Sequence, residues 1–258
     1  MSVPESLIVA RDDTIVTVTI NRPERLNALD QVTARGLSEV FHELSADDGI
    51  RCIVLRGAGD RAFGVGADIK EFSEARSNPD QARSYDANWG DGLASCRHPV
   101  IAMIKGYCVG GSLGLIPYCD LRIAGRSARF AVPAGKLGIT YSHHEIAALA
   151  RLVGPAGALE FLLEGEMIGA KRVLQMGLVN RVVDDEEVEA VTYQTARNIA
   201  EKAPLSARWH KKFVNRLLDP TPLSDGERDE AYLCFETDDF RIGREAFATK
   251  EKPEFRGS

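Results

Sequence analysis

A chain of 258 residues, 44% hydrophobic and 27% charged, carries enough apolar mass for one large domain, or for a domain plus an appendage. Its formal net charge of −6 gives no support to nucleic-acid binding through bulk charge. The five cysteines (Cys52, Cys96, Cys108, Cys119 and Cys234) are scattered and form no CxxC pair. That argues against a metal site and predicts buried thiols in a reduced, cytoplasmic setting. The N-terminal MSVPESLIVARDD has acidic residues and no long apolar block, so neither a secretory leader nor a basic transit peptide is expected. No run is expected to reach the length of a membrane span.

In chain order, Leu7–Ala10 and Thr14–Ile20 read as strands joined by a turn at Arg11-Asp12-Asp13. The second strand alternates threonine with β-branched apolar residues, which predicts one buried and one half-exposed face. Asp30 is placed to cap a helix running to Ala46, with Val32, Leu37, Val40, Phe41 and Leu44 on its apolar side. Ile53–Leu55 and Val100–Ile104 are apolar enough for buried strands. A short helix starting at Asp68 and a polar helix over 79–95 lie between them. Leu121–Ala124, Arg129–Ala131 and Val179–Val183 read as further strands. The loop GITYSHHE (138–145) leads into a helix that Gly154-Pro155 breaks, and Ala170–Met176 forms another. From Glu186 onward only helices are predicted, over 186–202, 206–218, 224–237 and 240–250. Strand and helix alternation predicts an α/β core over residues 1–185, with a helical segment over 186–258.

Two glycine-rich stretches follow strand-like runs: AFGVGADIKEF (62–72) after CIVLRG, and KGYCVGGSLGLIPYCD (105–120) after VIAMI. Glycine lets a backbone approach a ligand closely, and the first amides of a helix have no partner within it. Such amides can hold a carbonyl oxygen that is becoming negative. Tight packing between helix and sheet explains any single glycine equally well.

The pair of stretches, with RPERLNALD (22–30), GLVNRVV (177–183) and REAFATKEKPEF (244–255), resembles the crotonase superfamily, or enoyl-CoA hydratase/isomerase family, over nearly the whole chain. The resemblance implies a spiral of ββα units and an acyl-CoA thioester as substrate. Coenzyme A would enter only as part of that substrate, with no permanently bound cofactor. It implies an oxyanion hole formed by the amides of Ala67 and Gly111. It places Arg25, Leu26, Ala28, Ala67, Asp68, Ile69 and Lys70 along the coenzyme A site. Phe247 and Lys250 match positions where a neighbouring subunit reaches the bound nucleotide, in a homotrimer or a hexamer made of two trimers. No nucleic-acid or membrane partner is implied. For Asp68 a helix-capping role competes with the binding role, and for Lys250 a solvated surface charge does.

Two departures stand out. The positions matching the family's two hydration glutamates are Gly114 and Ala134, neither of which can move a proton. Ordinary hydration is therefore not expected. Carbon–carbon bond hydrolysis, decarboxylation, or isomerisation with other acid–base groups is. Candidates for those groups are Tyr141, His143, His144 and Glu145, beside Ser142. The same residues equally fit a capping box, with Ser142 as cap and Glu145 three residues later. A hydratase or isomerase using residues 141–145, and a non-catalytic acyl-CoA binder, are the alternatives.

Overall fold

The computed structural model of the chain describes residues 3–68, 71, 80 and 90–258. Strands β1 (Leu7–Asp12) and β2 (Ile15–Ile20) form an antiparallel hairpin, turning at Asp13 with φ 53°. The strand thus runs two residues beyond the expected Ala10, because Arg11 and Asp12 still pair with Val16 and Ile15. Parallel strands β3 (Cys52–Gly57), β5 (Val100–Ile104), β7 (Leu121–Gly125) and β10 (Arg181–Val183) complete a sheet ordered β1-β2-β3-β5-β7-β10. All five residues of β5 are buried, as befits a central parallel strand covered on both faces.

A second sheet, β4-β6-β8-β9, is built from β4 (Ala62–Gly64), β6 (Tyr107–Val109), β8 (Arg129–Ala131) and β9 (Ile168–Gly169). Successive strands alternate between the sheets: β3 then β4, β5 then β6, β7 then β8. This alternation is the expected spiral of ββα turns. It was not readable strand by strand, since β4 and β6 have three residues each and pair only with a neighbouring turn.

Helix α1 (Gln31–Ala46) starts where expected, with the Asp30 carboxylate accepting from Thr33 N at 2.8 Å. Ala34, Leu37, Val40 and Phe41 are buried along it, whereas Val32 is 62% exposed. Val32 sits roughly 200° around the helix from Ala34, outside the apolar stripe. A single helix over 79–95 is not what forms: Gly90, at φ 84°, is the left-handed cap from which the short α2 (Asp91–Ser95) starts, and residues 81–89 lie outside those described. The helix expected at Asp68 falls on residues outside those described. Helix α3 (Gly111–Leu115) follows β6.

Helix α4 (His143–Leu159) continues into a π turn, Glu160–Glu164. This corrects one expectation: residues 143–164 are long and apolar enough to span a membrane, with mean hydropathy 1.6 over the best window. Gly154, at φ 71° and ψ 166°, breaks the run. Ala148, Leu149, Ala158 and Phe161 are buried along this stretch, whereas Leu159 and Leu163 are 51% and 78% exposed.

Helix α5 (Ala170–Met176) matches its expected bounds. Helix α6 (Val188–Ala200) covers the outer face of the larger sheet, where Val188, Ala196 and Ala200 cluster with Ile15, Val54, Ile101 and Ile123. Beyond it run α7 (Pro204–Leu217), α8 (Asp225–Glu230) and α9 (Asp238–Thr249). Pro204 starts α7 rather than separating it from α6, as suits proline in a first helical turn. The stretch expected as one helix over 224–237 is α8 followed by a 3-10 turn, Leu233–Glu236.

One buried side chain holds the first loop of the spiral. Asn27, 1% exposed and at φ 57°, donates to Ala62 O at 2.7 Å and Ala58 O at 3.0 Å, and accepts from Arg22 N at 3.1 Å. Replacing it with alanine strands these backbone groups. Asn27→Ala is expected to lower unfolding free energy by about 2–4 kcal/mol in urea titration.

His98, fully buried before β5, gives a pH signature. Burial, then the Arg208 and Arg97 guanidiniums, push its imidazole down from 6.5 to about 4. Between these values the unfolded chain binds the extra proton and the folded chain does not, so stability falls as pH drops through this window. His98→Gln is expected to flatten that fall, measured as unfolding free energy at pH 6.5 and 4.5 in both proteins.

Candidate functional site

The two glycine stretches meet. A Cβ placed on Gly66 would lie 2.8 Å from Gly111 N and 3.1 Å from Val109 O. Gly66, at φ 89°, is therefore obligatory on both conformational and steric grounds. Ser112, fully buried in α3, accepts from Gly66 N at 3.0 Å and ties the loops together.

Residues 66–68 are also pinned from the other side. Leu29 N donates to Gly66 O at 2.7 Å and Asp68 N to Leu29 O at 2.8 Å, a parallel bridge between Leu29 and Ala67. In that pattern the Ala67 amide points away from Leu29. Gly111 is the first residue of α3, so its amide has no acceptor within the helix. Ala67 and Gly111 are partly exposed while Gly66 and Ser112 are buried. Two amides from successive turns of the spiral thus lie at the edge of one rigid contact.

Arg22 braces this contact. It donates to Ala28 O at 2.6 Å and to Asp68 Oδ2 at 3.0 Å, and pairs with Asp30 Oδ2 at 3.0 Å. Asp68 is 9% exposed, so its described role is an ion pair that clamps the loop. Arg22 and Asn27 lie inside the RPERLNALD stretch, yet neither was singled out from sequence. Their partners are distant in the chain, and only the capacity of asparagine for a left-handed turn hinted at Asn27.

Of the residues expected along the coenzyme A site, Ala28 is buried, Leu26 is half-buried at φ 51° and Arg25 is exposed. Ile69 and Lys70 lie outside the described residues. Phe247, 88% exposed, and Lys250, exposed at φ 60°, sit at the end of α9. No described contact joins them to the glycine loops.

The loop before α4 separates its candidates. Ser142 and Glu145 form the capping box: Glu145 Oε2 accepts from Ser142 N at 2.9 Å and Ser142 Oγ at 2.8 Å. His143 and His144 occupy the exposed side of this first turn. Glu145 and Tyr141 turn inward, toward Gly114. A Cβ on Gly114 would lie 3.1 Å from Glu145 Oε1 and 3.8 Å from Tyr141 Cε2. The Glu145 carboxylate, from the helix packed against α3, therefore occupies the space beside Gly114. Ala134 is buried in the turn Pro133–Leu137.

Tyr118, half-buried at the end of the 3-10 turn Ile116–Tyr118, belongs to no motif that the sequence marks. Burial raises its phenol, and the nearby Glu145 and Asp91 carboxylates raise it further. It remains a protonated donor at neutral pH. The four buried cysteines are inert by the same physics: burial pushes the Cys52 and Cys119 thiols up to about 12 and also raises Cys96 and Cys108.

A cleft of about 980 Å³ lies under α7, between Tyr118, Arg151 and Leu152 on one side and Ile199, Lys211 and Val214 on the other. Among its described lining residues are neither Ala67 nor Gly111. Proximity of backbone donors, rather than cleft size, therefore defines the candidate site.

The family model for enoyl-CoA hydratase/isomerase matches residues 10–258. A probable enoyl-CoA hydratase of Mycobacterium bovis is 34% identical over 97% of this chain and 98% of its own. The short-chain-enoyl-CoA hydratase of Clostridium acetobutylicum is 33% identical over 96% and 97%. A crystal structure of an enoyl-CoA hydratase/carnithine racemase from Magnetospirillum magneticum superposes with TM-score 0.97 at 45% identity, covering 99% of this chain and 97% of that one. With the spiral of paired strands and a match across both glycine loops, the chain belongs to the enoyl-CoA hydratase/isomerase family, whose members act on coenzyme A thioesters.

Proposed function

We propose that the protein binds an acyl-CoA thioester with its carbonyl oxygen between the amides of Ala67 and Gly111, and stabilises the enolate or tetrahedral oxyanion that forms there. The observation carrying this reading is the Gly66–Gly111 contact, beside which lie the Ala67 and Gly111 amides of two separate turns. Fixed amide donors stabilise developing charge without reorganising. Coenzyme A enters as part of the substrate, with Arg25, Leu26, Ala28, Asp68, Ile69 and Lys70 along its path.

The reaction is other than glutamate-driven hydration, because Gly114 and Ala134 supply no carboxylate. The proton chemistry belongs to other side chains, and decarboxylation, carbon–carbon cleavage and isomerisation all fit an enolate-stabilising site. A second reading, a hydratase or isomerase drawing on residues 141–145, is favoured by the position of Glu145 beside Gly114. The names of the similar bacterial hydratases lend it further support.

The helical segment after residue 186 is the proposed oligomerisation surface of a trimer or hexamer. Val214, Leu217, Tyr232, Phe235 and Phe247 are large, apolar and exposed there, and such a concentration of apolar surface suits contact with further copies of the chain. The unpaired cysteines suit a reducing cytoplasm. Light scattering of the purified protein is expected to give a mass of three or six chains; a monomer would remove Phe247 and Lys250 from the site.

Incubation with crotonyl-CoA in ¹⁸O-labelled water, beside β-oxo and malonyl-type thioesters, tests the reaction by mass spectrometry. Crotonyl-CoA left unhydrated, with cleavage, CO₂ loss or double-bond isomerisation of another thioester, is the expected result. Labelled 3-hydroxybutyryl-CoA formed at enzymatic rates would overturn it in favour of the second reading. Gly66→Ala is expected to lower whichever activity appears by roughly 10²–10³-fold, the usual effect of losing one oxyanion donor.

A further inference from the structure

Glu145 does two things at once. Its Oε2 accepts both the amide and the hydroxyl of Ser142, while its Oε1 stands over Gly114, one turn of α3 beyond Gly111. A side chain at 114 and this carboxylate compete for one space: even a single Cβ there would sit 3.1 Å from Oε1. Gly114 is thus the vacancy that Glu145 fills. His143 and His144, on the exposed side of the same turn, are not directed at that space.

We propose that Glu145 is the single acid–base group of this site, that Ser142 is the positioning residue aiming it, and that the chemistry is one-base enolisation of an acyl-CoA. This rests on the reading of Ala67 and Gly111 as the seat of the thioester carbonyl. Glu145 Oε1 takes a proton from the carbon next to the carbonyl. The C–H electron pair becomes the enolate double bond, and the carbonyl π pair moves to the oxygen held by the two amides. The carboxylic acid so formed returns a proton to the same carbon. With a β,γ-unsaturated thioester it returns the proton to the γ carbon, which gives the α,β isomer. Atoms and electrons balance with no cofactor or co-reactant. Ala134 leaves no second carboxylate at the other family position.

The capping box makes the test clean. Glutamine serves as well as glutamate at the third position of such a box, so Glu145→Gln keeps the helix start while removing the base. Two readouts are needed. The ultraviolet shift of 2,4-hexadienoyl-CoA on binding reports carbonyl polarisation and tests the amide seat alone. Deuterium incorporation into butyryl-CoA and 3-butenoyl-CoA in D₂O, followed by mass spectrometry, reports enolisation. The wild-type protein is expected to give both. Glu145→Gln should keep the shift and lose exchange by roughly 10²–10⁴-fold, the range of general acid–base assistance. Ser142→Ala should lower kcat for exchange roughly tenfold at unchanged KM, as one charge-assisted hydrogen bond is lost, and Ser142→Thr should restore it. A shift without exchange in the wild type would overturn the proposal. So would exchange that Glu145→Gln leaves intact. No shift in the wild type would instead remove the carbonyl seat, and the proposal with it.

Discussion

The structure depends on one close approach, that of the Gly66 loop to the start of α3. A single added carbon at Gly66 would lie 2.8 Å from the Gly111 amide nitrogen, so the two turns leave no room for a side chain between them. Nothing in a pair of short loops makes such an approach favourable by itself. It is imposed from three directions: Ser112 pulls on Gly66 N, Leu29 holds residues 66 and 68, and Arg22 ties Asp68 to Asp30 and the Ala28 carbonyl. Each of these groups is itself buried or half-buried, so each interaction also satisfies a polar group that would otherwise cost free energy.

The same logic explains how the space beside Gly114 comes to be filled from another element. Two helices that pack closely share the space between them, and the side chain filling it can come from either. Here α3 contributes glycine and α4 contributes glutamate. The helix-start motif that holds Glu145 is a stabilising device in any protein, worth about 1 kcal/mol. Near a reactive centre it also fixes the direction of a carboxylate oxygen. Local stability and site geometry therefore draw on the same two hydrogen bonds.

Legibility in the sequence followed the distance between partners. Helix α1 with its Asp30 cap, strand β8, helix α5 and the Ser142–Glu145 box rest on contacts within a few residues, and all were readable. The short strands β4 and β6 were not, because a three-residue strand has no period and is defined by a partner in another turn. Asn27 and Arg22 look like ordinary loop residues until Ala62 and Asp68 are brought to them. Gly114 reads as a loss, and only the docking of a residue 31 positions later shows what occupies its place. The apolar length of residues 143–164 is masked in the sequence for the opposite reason: Gly154 and Pro155 divide it into two shorter apolar runs that the fold joins end to end.

The alternation of strands between two sheets has a thermodynamic consequence. Ala67 and Gly111 belong to different turns of the spiral, so no fragment containing one turn carries both amides. A ligand held between them recognises only the assembled spiral, and its binding energy adds to the stability of the whole fold rather than of one segment. A thioester present at a hundredfold excess over its Kd would stabilise the chain by about 2.7 kcal/mol. The melting temperature therefore becomes a reporter of acyl-group preference, readable before any product is known.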